Sequence, residues 1–230
     1  MYLLSIDPGC KHVGYSLAEC TSGVRFVSAR VISCARKVDV DSIWDPAVLK
    51  LHLDTVLELI PVDLLASTTV LIERQFTQKN PFGQTGVHEV VGAIKMWLHT
   101  RGLKATMYNP TNRISYFEAK AKAAAKANAG PKATKGKSKG KGKGKGKTPE
   151  LGVATPISVK TDKKKAKKTY RERKQDSIKI AADWLAAHAD VPYHRELLAK
   201  LKATPMRGEP KAKNDDWAEA ICQAIAYLGA

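Results

Sequence analysis

Apolar and polar positions in the first third of the chain fall into short runs that read as strands. MYLLSID is a mostly apolar run of strand length, stopped by the turn-forming Pro8-Gly9. VGYSLAEC and VRFVSARVI follow closely, the pattern of an antiparallel meander. A fourth run, TTVLIE, is β-branched and apolar up to its lone acid, Glu73. Before it, Val48, Leu49, Leu51, Leu53, Val56, Leu57 and Ile60 recur at helical spacing and predict a helix over 45–60. Residues 87–99 read as a second helix, in which Gly92 and Ala93 permit close packing against a neighbour. LKATMYN predicts a fifth strand ending before Pro110, and helices are expected over 178–188 and 215–228.

Charge divides the chain. Ala119 to Lys168 holds 17 Lys against two acids, Glu150 and Asp162, which is +15 of the formal +17. GPKATKGKSKGKGKGKGKTPE cannot build a core, so the expectation is one domain in two parts, 1–118 and 169–230, around a disordered basic insertion at 119–168. Such a segment contacts phosphates without reading bases. At 230 residues and 43% hydrophobic content, the remainder suffices for one good core. No apolar run is long enough to span a membrane, and no basic leader precedes the first strand. Cys10, Cys20, Cys34 and Cys222 lack metal or redox spacing and read as buried reduced thiols of an intracellular protein; nucleus, mitochondrion and viral replication site stay open.

The candidate chemistry lies in acids far apart in the chain: Asp7 at one strand tip, Glu73 at another, and Asp215, Asp216 and Glu219 at the start of the last helix. Positions 215, 216 and 219 cluster on one helical face. Alone, they would suit a solvated acidic first turn facing the helix dipole. However, Ala218, Ile221, Cys222, Ile225, Ala226 and Leu228 form an apolar surface that must be buried, which puts the acids at the rim of a packed helix. Asp7 alone could merely cap its turn. Glu73 closing a strand this apolar is harder to explain structurally. Gathered at one point, such carboxylates suit hard divalent cations.

IDPG-x4-G (Ile6 to Gly14), IE-x2-F (Ile72 to Phe76) and DD-x2-E (Asp215 to Glu219), in this order and separation, resemble the RuvC-type Holliday junction resolvases. The doubled acid after Lys213 and YRERK (Tyr170 to Lys174) are similar to the poxvirus and mitochondrial branch. The resemblance implies an α/β, RNase H-like fold: a mixed five-stranded sheet flanked by helices. It implies Asp7, Glu73, Asp215, Asp216 and Glu219 as catalytic ligands of Mg²⁺ or Mn²⁺, two per active site, with Asp7 bridging. Acids three apart select Asp216 with Glu219, and acids four apart select Asp215 with Glu219. The family usually carries Asp where this chain has Glu219. The implied partner is branched DNA, a four-way junction cut by a homodimer. Phe76 would stack on unpaired bases, and Arg113 and Lys174, with Lys168, Arg171 and Arg173, would contact DNA.

Other chemistries find less support. Gly146-Lys147-Thr148 resembles the end of a phosphate loop, but Lys141 stands where its first glycine belongs, so no nucleotide cofactor is expected. The six histidines show no metal spacing and read mostly as surface or helix-face residues, and no GxSxG is present. The remaining alternatives are a non-enzymatic DNA-coating protein driven by the lysine segment and, less well supported, a fragment of an actin-like kinase.

Overall fold

The computed structural model describes residues 1–38, 41–75, 81–128, 169–203 and 214–230. Five strands form one sheet in the order β3-β2-β1-β6-β7: β1 (Tyr2–Pro8), β2 (His12–Glu19), β3 (Arg25–Ser33), β6 (Thr69–Glu73) and β7 (Ala105–Tyr108). The β1, β2 and β3 meander is antiparallel, whereas β6 and β7 run parallel to β1, giving the mixed sheet expected. A small hairpin, β4 (Ala35–Val38) and β5 (Asp41–Trp44), stands apart.

Helices cover both faces. On one lie α1 (Pro46–Leu57), capped by Asp45, whose side chain accepts from the Ala47 N–H at 2.8 Å, and α3 (Pro81–Thr100); α2 (Val62–Leu65) is a short turn between α1 and β6. Leu49, Leu53, Ile94 and Leu98 pack there against Leu4, Ile6, Leu17 and Ile72 of the sheet. The other face carries α4 (Pro110–Asn128), α5 (Tyr170–Ala187), α6 (Pro192–Lys202) and α7 (Asn214–Leu228), packed on Leu3, Ala18, Phe26 and Leu71. Because both faces of β1 are covered, all its residues are buried, and its sequence is apolar almost throughout rather than alternating.

Several elements depart from expectation. α4 was not foreseen; it follows the strand-ending Asn109, whose side chain accepts from the Thr111 N–H at 2.9 Å, and it extends ten residues past 118, into the segment read as insertion. α5 begins at Tyr170 rather than 178, because Thr169 and Glu172 form a reciprocal capping box that starts a helix in polar sequence. α6 was also missed. Its His194, read with the other histidines as a surface or helix-face residue, lies on the helix face turned to the sheet and is fully buried: Nε2 accepts from the Phe26 N–H at 2.9 Å and Nδ1 meets the His188 carbonyl at 2.9 Å. Together with Tyr193, whose hydroxyl accepts from the Ala29 N–H at 3.3 Å, it satisfies donors on the edge strand β3. Cys34 and Cys222 are buried, as expected. Cys10, in the turn after β1, is exposed and Cys20 is half-buried, because these two lie at the ends of strands rather than within them. Among the described residues, no helix is long and apolar enough to cross a membrane.

Candidate active site

Strand alternation decides which acids can meet. On β1, Tyr2, Leu4 and Ile6 face α1 and α3, whereas Leu3 faces α7, so Ser5 and Asp7 share the face of Leu3. On β6, Val70 and Ile72 take the first face and Leu71 the second, so Glu73 falls on the α7 side as well. Ile6 and Ile72 are partners in the parallel ladder, and the next residue of each strand is one of the two acids. They stand side by side at the carboxyl ends of adjacent strands.

α7 completes the group. Gly14 lies opposite Asp7 in the antiparallel ladder, and a Cβ there would come within 2.4 Å of the Asp216 carbonyl carbon and oxygen. Only a glycine lets the first turn of α7 settle this deeply on β2. Carboxylate oxygens of Asp7, Asp216 and Glu219 lie within 4.8 Å of one another, a spacing that can hold a metal ion. Glu73 stands behind them; its Oε2 is buried and makes no hydrogen bond, although Arg113 Nη1 is 3.3 Å away. An all-oxygen donor set, in which Glu73 Oε2 is ion-paired but makes no hydrogen bond, fits a hard divalent cation.

Among the described residues, two cations face this group. Arg113, from the first turn of α4, donates from Nη2 to Glu219 Oε1 at 3.1 Å and from Nη1 to the Glu219 carbonyl at 3.2 Å. Lys174 of α5 donates to Asp216 Oδ1 at 3.1 Å and to Glu219 Oε2. With Asp7, Glu73, Asp216 and Glu219 ionised, the described side chains leave a surplus of two negative charges.

Titration follows burial first and the neighbouring charges second. Burial, then the charges of Glu73 and Glu219, push the Asp7 carboxyl well above its ordinary range. Burial also raises Glu73, with Arg113 opposing it. Burial would raise Glu219 too, but Arg113 and Lys174 together hold it below the usual value. Although burial acts against their charged forms, both cations are held protonated by the surrounding carboxylates. Close by on α7, burial pushes the Cys222 thiol up to about 12, leaving it inert.

Of the residues singled out in the sequence, Asp7, Glu73, Asp216 and Glu219 converge, and Arg113 and Lys174 join them. The two cations contact carboxylates, not an open surface: Arg113 is 8% exposed. Arg173 is exposed on α5. Asp215 and Arg171 lie on α7 and α5, with side chains outside the described set; Phe76, Lys168 and the lysine segment over 129–168 lie outside the described residues. Sequence reading left Arg113 and Lys174 as phosphate contacts because the helix starts that aim them inward went unread. The signals were Asn109-Pro110, a capping residue followed by proline, and Thr169-x-x-Glu172.

No protein-family model matches the chain, and no curated protein sequence does. Solved structures do. The Holliday junction resolvase of fowlpox virus is 13% identical with a TM-score of 0.50, over 100% of this chain and 98% of that one. The RuvC structure of Thermus thermophilus gives 16% and 0.45 over 100% and 97%. The yeast mitochondrial Holliday junction resolvase Ydc2 gives 15% and 0.43 over 98% and 78%. Strand order, mixed sheet direction and full-length superposition on the fowlpox enzyme give this chain the RuvC-type, RNase H-like resolvase fold.

Proposed function

We propose that this chain is a metal-dependent, structure-selective DNA endonuclease that hydrolyses phosphodiesters in four-way junctions. One observation carries the reading: Asp7, Glu73, Asp216 and Glu219, from two strand tips and one helix start, gather in one group, three of them with carboxylate oxygens within 4.8 Å of one another. Four acids set against the two described cations, Arg113 and Lys174, are a costly choice for a purely structural cluster, since buried charge must be paired or neutralised. The junction as substrate is supported by fold likeness to the fowlpox resolvase.

Asp7, Asp216 and Glu219 would hold the divalent ions, with Glu73 and the neighbouring Asp215 as further ligands. Bound there, Mg²⁺ or Mn²⁺ supplies an activated water and charge stabilisation of the leaving 3′ oxygen in an in-line displacement. Arg113 fixes Glu219 by both backbone and side chain, so the α7 acids keep their aim while the charge around them changes. Phe76, Lys168, Arg171 and Arg173 stand as the candidate DNA contacts. A homodimer would present two such sites to the two-fold junction.

The test is incubation of wild type and Asp7→Asn with a synthetic four-way junction and a linear duplex in Mg²⁺. Paired nicks in the junction by wild type alone are expected. Equal cutting by both proteins, or an intact junction with wild type, rejects the reading.

A further inference from the structure

Lys174 occupies the heart of the carboxylate group. Its ammonium bonds Asp216 and Glu219, two of the three residues whose oxygens lie within 4.8 Å of one another, and its charge also acts on the third, Asp7. We propose that Lys174 is a resident counter-cation that a divalent metal ion must displace, so that metal loading moves this ammonium out of the carboxylate cluster. The inference rests on the reading of the cluster as a metal centre.

Charge and geometry give the reason. A small divalent ion demands carboxylate oxygens at close range in a nearly fixed octahedron. The Lys174 ammonium already directs its donors at two of those oxygens, and it carries the same sign as the incoming ion, so both cannot hold the same positions at low energy. Of the two described cations, Lys174 is the one built to yield. Arg113 is tied at once to Glu73, to the Glu219 side chain and to the Glu219 backbone, and its planar fork is matched to them. Lys174 is a point charge on a flexible four-carbon stem near the first turns of α5, and it can swing while the helix stays in place. Its expected contact with DNA phosphate and its observed contact with carboxylates are then two positions of one side chain, before and after loading. The metal-free centre thereby keeps a second cation beside Arg113 among its acids.

Two measurements on the full chain test this. In the first, wild type is acetylated briefly with acetic anhydride with and without Mn²⁺, and modification of Lys174 is read by mass spectrometry while calorimetry reports Mn²⁺ binding. Protection without metal and several-fold greater labelling with it are expected. In the second, Mn²⁺ affinity of Lys174→Met is compared with that of wild type by calorimetry, and binding tighter by roughly tenfold is expected, because the competing charge is gone. If the variant does not fold, the wild-type labelling decides alone. Bound Mn²⁺ with unchanged Lys174 labelling, or weaker binding by a folded variant, overturns the displacement while leaving the metal centre intact. Absence of Mn²⁺ binding by wild type and variant alike removes the metal centre itself, and the displacement with it.

Discussion

Gly14 and Asp216 meet backbone to backbone: a Cβ on the glycine would lie 2.4 Å from the Asp216 carbonyl oxygen and 2.9 Å from the Trp217 nitrogen. Backbone atoms cannot swing aside as a side-chain tip can. Gly14→Ala should therefore lift the start of α7 from β2, lowering stability by about 1–3 kcal/mol and weakening Mn²⁺ binding, as read by urea denaturation and calorimetry. Wild-type values for both would mean that α7 does not need this approach.

Asp7 is expected to be necessary for activity and unfavourable for the metal-free fold. Burial and neighbouring acids disfavour its ionised form, and Asn fills the same space without the charge. Asp7→Asn should abolish Mg²⁺-dependent junction cleavage, yet raise the urea midpoint in EDTA by an amount equivalent to roughly 1–2 kcal/mol. In saturating Mg²⁺ the order should reverse, because only wild type gains the free energy of ligand binding. A variant less stable than wild type in EDTA would contradict this account.

His194 should make the fold acid-sensitive. Burial lowers its pKa from 6.5, and protonation of Nε2 would break the bond from the Phe26 N–H. The unfolded chain therefore takes up the proton first as pH falls. This contribution to stability is complete above about pH 6.5 and is lost as pH drops through the folded-state value, at no more than about 1.4 kcal/mol per pH unit. His194→Gln should be less stable at pH 7.5 but flatter between pH 7 and 5 in denaturation series. Parallel curves would remove His194 as the cause.

Ser5 and Ser16 are ladder partners on the α7 face, and the hydroxyl oxygens of both are buried without a hydrogen-bond partner. A buried hydroxyl that makes no bond loses hydration without return. Ser16→Ala should raise stability by about 1 kcal/mol in thermal melts and leave junction cutting unchanged. A destabilised alanine variant would show that the hydroxyl is bonded in solution.

Legibility along the chain followed local signal strength. β1, β2, β3 and β6 were visible because apolar runs broken by turns need no partner to be read, and α7 because its apolar positions recur over four turns. α4 and the first turns of α5 are polar: KAKAAAKAN and YRERKQD carry little periodic apolar content, and their starts are marked only by capping chemistry. α6 was overlooked although Pro192 stands at its first turn, and with it went the burial of His194, since a lone histidine in a polar stretch gives no sign of the edge strand that it covers.

By itself the sequence determined that carboxylates would sit at strand tips and at a helix start, because those positions follow from residue order and from the two- and 3.6-residue periods of strand and helix. Only the tertiary structure decided what opposes them. Arg113 reaches Glu219 across 106 residues and Lys174 reaches it across 45, on helices whose paths over the sheet are fixed by packing. Electrostatic pairing depends on distance in space, which local periodicity does not encode, and so a cation that reads as a DNA contact in the sequence lies among the acids in the fold.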